Sequence, residues 1–499
     1  MQPNSMLLFV FLPIAAAALL PIFEKVWQEL VDFVANAVAL ALLVLAITFI
    51  TPLRFNGALV LNFAELFQFS MTFYLDSLSL LLLLVINGIG LMALIYSIEY
   101  MKEYGGKGRY YALFLLMLAG MNGVVLSHDL FGLYVFLEVA ACSSYALVAF
   151  GLKHEELEAA FKYLVLAAAA SALILLSIAL IYARTGSLDM KLVSDGINFS
   201  IYGGDKAVAF MVVLLLVGFG LKMAMVPFHA WLPDAHPSAP APISAMLSGV
   251  LIKASGVYAL MRILYNVFGL HTMPRVGFVL MAMGVLTIVV AGILALVQTD
   301  FKRLLAYSSI AQIGYILLGF GIGTPLAFAG ALYHLLNHAT FKSLLFLNSG
   351  AVQQAIHTRD LNKMGGLAKR MPVTAVTSLF GSLSISGVPP FNGFFSKLTI
   401  IVAAIQAGHM LGNHLYYWYA AVAVAFSVVT LGYFLKIQRK AFFGKLNEAL
   451  AGAREAKFAM TLPMIVLAIL CLALGVCYPW LNQTLLSPAA NTLTSLFVR

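Results

Sequence analysis

Apolar runs about as long as a bilayer is thick recur along nearly the whole chain, centred near residues 14, 40, 85, 117, 140, 171, 219, 252, 286, 313, 338, 390, 426 and 468. About twenty apolar residues in a helix span the hydrocarbon core. Inside hydrocarbon every backbone N–H and C=O must be satisfied within the protein, so such runs are expected as helices. The expected fold is all-α and integral to the membrane, with about fourteen spans. Hydrophobic residues make up 62% of the 499 and charged residues 10%, which leaves no room for a sizeable soluble domain. The longest polar stretches, near 185–206 and 436–458, are loop-sized. The first run lacks a basic leader and a small-residue cleavage site, so it reads as a retained helix.

The three cysteines, Cys142, Cys471 and Cys477, fall in apolar segments without a CxxC pair. Iron–sulfur or zinc ligation by them is therefore not expected. No glycine-rich loop precedes a GK[ST]. The sequence suggests no catalytic residue, cofactor or metal, and any driving force is expected from a partner or an ion gradient. The net charge of +9 does not point to nucleic acid, because its distribution is that of a membrane protein. Seventeen lysines and arginines fall in loops after odd-numbered spans, among them Lys102, Lys107, Arg359, Lys363, Lys440 and Lys457. Seven fall on the other side: Arg54, Arg184, Lys191, Lys206, Arg262, Arg275 and Arg499. The positive-inside rule then places both termini on the outer, periplasmic side of a cell inner membrane.

Five charges sit where hydrocarbon is expected: Glu138, Lys222, Lys253, Lys342 and Lys397. Each costs about 2.5–3.5 kcal/mol at a helix centre on insertion scales, and such residues commonly line hydrated cavities or relay ions. Glu138 and Lys222 form the natural pair, since opposite charges favour each other's ionised form; the plainer reading is a fixed ion pair that orients two helices. Lys253 and Lys397 have no carboxylate in their own spans. They face a hydrated interior or snorkel to the headgroups. His334, His338 and Lys342 follow at i, i+4 and i+8, on one helix face. That stripe suits proton transfer better than a metal site, given the lysine and the lack of a local carboxylate. Lys162 follows Glu158 by one turn and reads first as its helix partner. Asp76 reads as interfacial. His229 and His236 flank a break, and His236 beside Asp234 is a residue either of an aqueous mouth or of an ordinary loop.

Two spans look interrupted, the seventh at Pro227 and the twelfth at Gly387, Pro389, Pro390 and Gly393. Both carry a lysine, and they lie five spans apart. Breaks at corresponding positions of two halves point to inverted repeats. The expected division is 1–105 (spans 1–3), 106–265 (spans 4–8), 266–440 (spans 9–13) and 441–499 (a loop and span 14).

The segments DLFGLYVFLEVAACSSYAL, GLKMAMVPFHAWLPDAHPSAPAPISAMLSGVLIK, DFKRLLAYSSIAQIGY, NHATFKSLLFL, HTRDLNKMGG and SGVPPFNGFFSKL resemble the antiporter-like subunits. These occur in respiratory complex I, in Mrp-type sodium/proton antiporters and in membrane-bound energy-converting hydrogenases. The likeness runs from about residue 70 to 440. It implies fourteen helices in two inverted five-helix repeats, with helices 7 and 12 broken. It also implies proton-transfer roles: Glu138 and Lys222 as the gating pair, Lys253 as the link between halves, His338 with His334 and Lys342 on helix 11, and Lys397 as the terminal residue. Lysine at 397, where some complex I members have glutamate, is more like the Mrp D-type chain and its hydrogenase relatives. The resemblance does not extend to the long C-terminal lateral helix of the largest complex I member. The implied partners are other membrane subunits, the lipid bilayer and a peripheral hydrogenase or redox arm. The implied cargo is the proton, with sodium left open. Two other classes fit the sequence: a structural membrane scaffold with vestigial charges, and a stand-alone cation carrier.

Overall fold

The computed structural model describes residues 3–62, 71–201, 205–270 and 274–494; Arg499 lies outside them. The helices that frame the molecule are α1 (Leu8–Val26), α2 (Gln28–Thr48), α3 (Ser77–Tyr100), α4 (Lys107–Leu126), α5 (Leu130–Val148), α6 (His154–Thr185), α7 (Lys206–Lys222) and α8 (Leu232–Ser238). They continue with α9 (Ala241–Val267), α10 (Pro274–Val297), α11 (Phe301–Ile322), α12 (Pro325–Ile356), α13 (Pro372–Ser386), α14 (Asn392–Leu411), α15 (Leu415–Ile437) and α16 (Phe458–Val476). Strands β1 (Leu59–Asn62) and β2 (Thr72–Leu75) form an antiparallel hairpin before α3.

Twelve helices among the described residues are long and apolar enough to cross a membrane. Two expected spans fall outside that set for visible reasons. Helix α7 stops at Lys222 after 17 residues, and α12 carries His334, Asn337, His338 and Lys342 through its middle. Exposed Leu, Ile, Val and Phe side chains cover the periphery, as expected of a surface solvated by lipid rather than water.

Both expected breaks are present. After α7 the chain turns through Met223–Trp231 before α8, and the carbonyl of Leu221 accepts from the Trp231 indole at 2.9 Å. The amide of Val226 donates to Thr287 Oγ1 of α10 at 3.2 Å. The second break runs from Gly387 to Phe391, with Gly387 left-handed at φ 79°, a conformation glycine adopts without strain. Side chains thus supply the partners that interrupted helices lose in a membrane.

The two halves share local devices. Helices α6 and α12 are each 32 residues long. Asp129 caps α5 and bridges to Asp189; Asp300 caps α11 and bridges to Asp360. In the second half, Gly284 and Gly314 bring α10 and α11 together so closely that a Cβ on either would meet the other's backbone. Small residues at such crossings let membrane helices pack tightly.

Two charges lie elsewhere than the sequence suggests. Asp76 and Arg262, read as interfacial and as a loop residue, are both buried and joined by two bonds, Nη1 to Oδ2 at 2.7 Å and Nη2 to Oδ1 at 2.8 Å. Ser79 and Tyr258 complete the cluster at 3.0 and 3.2 Å from the guanidinium. The pair ties α3 to α9 across 186 positions of sequence, a relation periodicity does not reveal.

Candidate functional site: a buried file of lysines and histidines

Glu138 projects from α5 and Lys222 ends α7. Their side chains meet with Nζ 3.1 Å from Oε1. The same carboxylate oxygen accepts from Ser171 of α6. The ammonium is almost fully enclosed while the carboxylate side chain keeps 28% of its surface. The pair is thus buried at its positive end and open at its negative end.

Among the described residues, Lys253, Lys342 and Lys397 make no ion pair. Lys253, at 0% exposure, donates to the carbonyls of Ser248 and Gly249 at 2.5 and 2.8 Å within a π-helical stretch of α9, Leu247–Tyr258. Such stretches are rare and recur at functional sites. Lys342, also at 0%, donates to the Leu305 carbonyl at 2.8 Å and to the Ser308 hydroxyl, with Phe434 on its flank. Lys397 donates to the Ile385 carbonyl at 2.8 Å and to Ser427 Oγ at 3.1 Å, and stands 4.9 Å from the Tyr315 ring centre.

Lys222 and Lys397 occupy matching places that their sequence positions conceal. One precedes its break and the other follows it. Yet Lys222 lies in the last turn of α7, and the Lys397 ammonium reaches the last turn of α13. A helix C-terminus carries partial negative charge, which favours a cation there.

His334 and His338 lie on the stripe expected of α12, their rings 6.4 Å apart. His334 is held by Ser396 Oγ at 3.0 Å and Gln312 Oε1 at 3.1 Å. Both nitrogens of His338 are buried without a protein partner, as are Gln312 Nε2 on α11, Asn337 Oδ1 on α12 and Asn392 Nδ2 on α14. Buried polar groups without protein partners are characteristically hydrated. Among the described residues no cluster of three or more His, Cys, Asp or Glu suits a metal ion.

Serines missing from the sequence reading join these groups. Ser248 and Ser309 share a hydrogen bond at 2.7 Å, and Ser309 donates to the same Leu305 carbonyl that takes Lys342. The polar contacts therefore run from Lys253 through Ser248, Ser309 and Leu305 to Lys342. Ser309 stands nine residues beyond the cap Asp300, as Glu138 stands nine beyond Asp129. That matched spacing is the signal that would have singled it out.

The secondary candidates divide. Lys162 is half-exposed and bridges Glu158 at 2.8 Å and Asp234 at 3.2 Å, so it ties α6 to α8 at the surface. His229 is half-buried beside Tyr307, its Nδ1 without a partner. His236 is fully buried, stacked 4.6 Å from Phe346, with neither nitrogen bonded. It lies within electrostatic reach of Lys342, Lys302 and Lys253. Lys302, a further buried lysine, donates to the Ala239 carbonyl at 2.8 Å and lines an open cavity of about 620 Å³ with Glu156, Ser238, Asp300 and Arg359. His236 immediately precedes Pro237 and Ser238, which line that cavity. Pro227 lies within the first break, and Pro389 and Pro390 within the second.

Residues 127–430 match the family described as NADH:quinone oxidoreductase/Mrp antiporter, TM. Residues 61–111 match the complex I chain 5 N-terminus family. The chain is 37% identical to NADH-quinone oxidoreductase subunit N of Desulforudis audaxviator over 80% of its own length and 81% of that protein. It is 32% identical to the D-type chain of the Na(+)/H(+) antiporter of Alkalihalophilus pseudofirmus, over 95% and 94%. The fold superposes on a chain of the Mrp complex from Dietzia sp. with a TM-score of 0.89 at 28% identity, covering 99% of this chain and 97% of that one.

Proposed function

The chain belongs to the NADH:quinone oxidoreductase/Mrp antiporter family, and we propose from this that it is a proton-translocating subunit of a multisubunit membrane complex. The observation that carries the reading is the file itself. Lys222 has one carboxylate partner, and Lys253, Lys342 and Lys397 are buried on neutral oxygens. Ammonium groups so placed are costly in hydrocarbon and are usually functional. Protons would pass along Glu138, Lys222, Lys253, His338 and Lys397, with His334 and Lys342 beside the path and His236 linking it to the cavity that Lys302 lines. Opening of the Glu138–Lys222 pair would push the Lys222 proton onward.

In this reading the chain has fourteen spans, with residues 106–265 and 266–440 as inverted repeats flanked by 1–105 and 441–499. Both termini face the outer side of the membrane, and its partners are other membrane subunits. The lysine at 397 favours an antiporter-like or hydrogenase-like assembly. The test is Lys222→Ala in the assembled complex in everted membrane vesicles. Loss of coupled proton movement with the complex intact is expected; undiminished coupling overturns the proposal.

A further inference from the structure

The two half-helices that lead to the breaks differ in chemistry. Between its terminal lysines, α7 reads AVAFMVVLLLVGFGL, without a polar side chain. Helix α13 carries six hydroxyls in fifteen residues: Thr374, Thr377, Ser378, Ser382, Ser384 and Ser386. All six are buried. Of these, Thr374, Ser378, Ser382 and Ser386 recur every fourth residue and share one face.

That face has a partner. Gln438 lies in a π-helical turn after α15, Gln438–Phe442, and is 2% exposed. Its Nε2 donates to Ser378 Oγ at 2.9 Å and to Ser382 Oγ at 2.8 Å. Its Oε1 is buried with no protein partner. At the inner end, Ser427 Oγ donates to the Ser386 carbonyl at 3.0 Å and accepts from Lys397. At the other end, Thr374 Oγ1 donates to Glu455 Oε1 at 2.5 Å. Glu455 also accepts from the amides of Val373 and Thr374, and it lines an open cavity of about 280 Å³ with Glu99, Lys102, Gln354 and Lys457. Capping of α13 accounts for the amide bonds. It does not account for a buried amide side chain two turns further in with an unbonded oxygen.

We propose that a hydrated proton conduit runs along α13, from Glu455 past Thr374, Ser378, Gln438 and Ser382 to Lys397. Gln438 is a positioning residue: it holds two hydroxyls in register and offers its free oxygen to water. The proton hops between waters, each O–H bond broken being replaced by one formed, and reaches the lone pair of the neutral Lys397 amine or leaves its ammonium by the reverse steps. The inference rests on the proton-translocation reading and extends it with a route that α7 lacks the polar groups to provide.

The test uses the assembled complex in everted vesicles, with Lys222→Ala as reference. Gln438→Leu is expected to slow coupled proton movement about tenfold at unchanged complex content, and Gln438→Glu to retain it within about twofold. If Lys222→Ala abolishes transport while Gln438→Leu is silent, the conduit is overturned and the general reading stands; if Lys222→Ala is itself silent, the general reading falls. If both Gln438 variants lose transport, or the leucine variant does not assemble, Ser382→Cys decides, in a chain with Cys142, Cys471 and Cys477 changed to serine. A small charged thiol reagent applied from the side of Arg454 is expected to modify it. Absence of modification, with Arg454→Cys reacting as control, overturns the proposal.

Discussion

A lysine ammonium has three N–H donors, and in a membrane interior they must find oxygen. Lys253, Lys342 and Lys397 find it in carbonyls and hydroxyls of their own or neighbouring helices. Those oxygens hold the amine in place without neutralising the ammonium. Replacing Lys253 by methionine, which keeps the length and loses the donors, is therefore expected to reduce coupled proton transport by at least about tenfold while the complex still assembles. Everted-vesicle transport normalised to complex content measures it. The Asp76–Arg262 pair behaves differently. It is fully buried and doubly bonded, as suits a mechanical tie between α3 and α9. Asp76→Ala leaves a buried guanidinium without its counter-charge, which is expected to cost about 3–5 kcal/mol. A lowered midpoint in thermal unfolding of the solubilised complex would show it, and an unchanged midpoint would remove the pair from the account of stability.

At the scale of elements, the breaks are held open by packing as much as by proline. A Cβ on Gly393 would collide with the Ser384 carbonyl across the second break, and one on Gly475 of α16 would collide with the Pro390 carbonyl. Gly393→Ala and Gly475→Ala should therefore displace the break and the Lys397 contact with it. Reduced complex yield, or loss of transport at normal yield, is the expected result in both; normal yield and transport would show that the break is more pliant than this packing implies. The prolines and glycines of both breaks were legible in the sequence, because they stand inside apolar runs. The side chains that satisfy the broken backbone were not. Trp231, Thr287 and Ser427 belong to other segments or lie beyond the turn, and no periodicity relates them to the break.

For the whole molecule, the sorting of basic residues and the lipid-compatible periphery make one geometric prediction. Single cysteines replacing Lys363 or Lys440 should resist an impermeant reagent in intact cells and react in everted vesicles, with Cys142, Cys471 and Cys477 removed. Cysteine at Arg54 should do the opposite. The reverse pattern would invert the proposed topology. Arg262 has to leave that sorting, since it is buried against Asp76 rather than placed in a loop. The correction leaves the bias between sides intact.

The sequence by itself determined the class of fold, the two breaks, the in-membrane charges and the Glu138–Lys222 pairing. The first three are written in local composition: a run of apolar residues, a proline within it, a charge that hydrocarbon does not tolerate alone; the pairing, across 84 positions, followed from opposite charge. Only the tertiary structure decided which oxygens hold the other lysines, that Ser248 meets Ser309, that Lys222 and Lys397 occupy equivalent helix ends, and that α13 and Gln438 form a polar seam. Most of those contacts join residues separated by tens of positions. They depend on helix rotation and crossing, which are settled by packing the whole bundle at once rather than by any one segment's pattern.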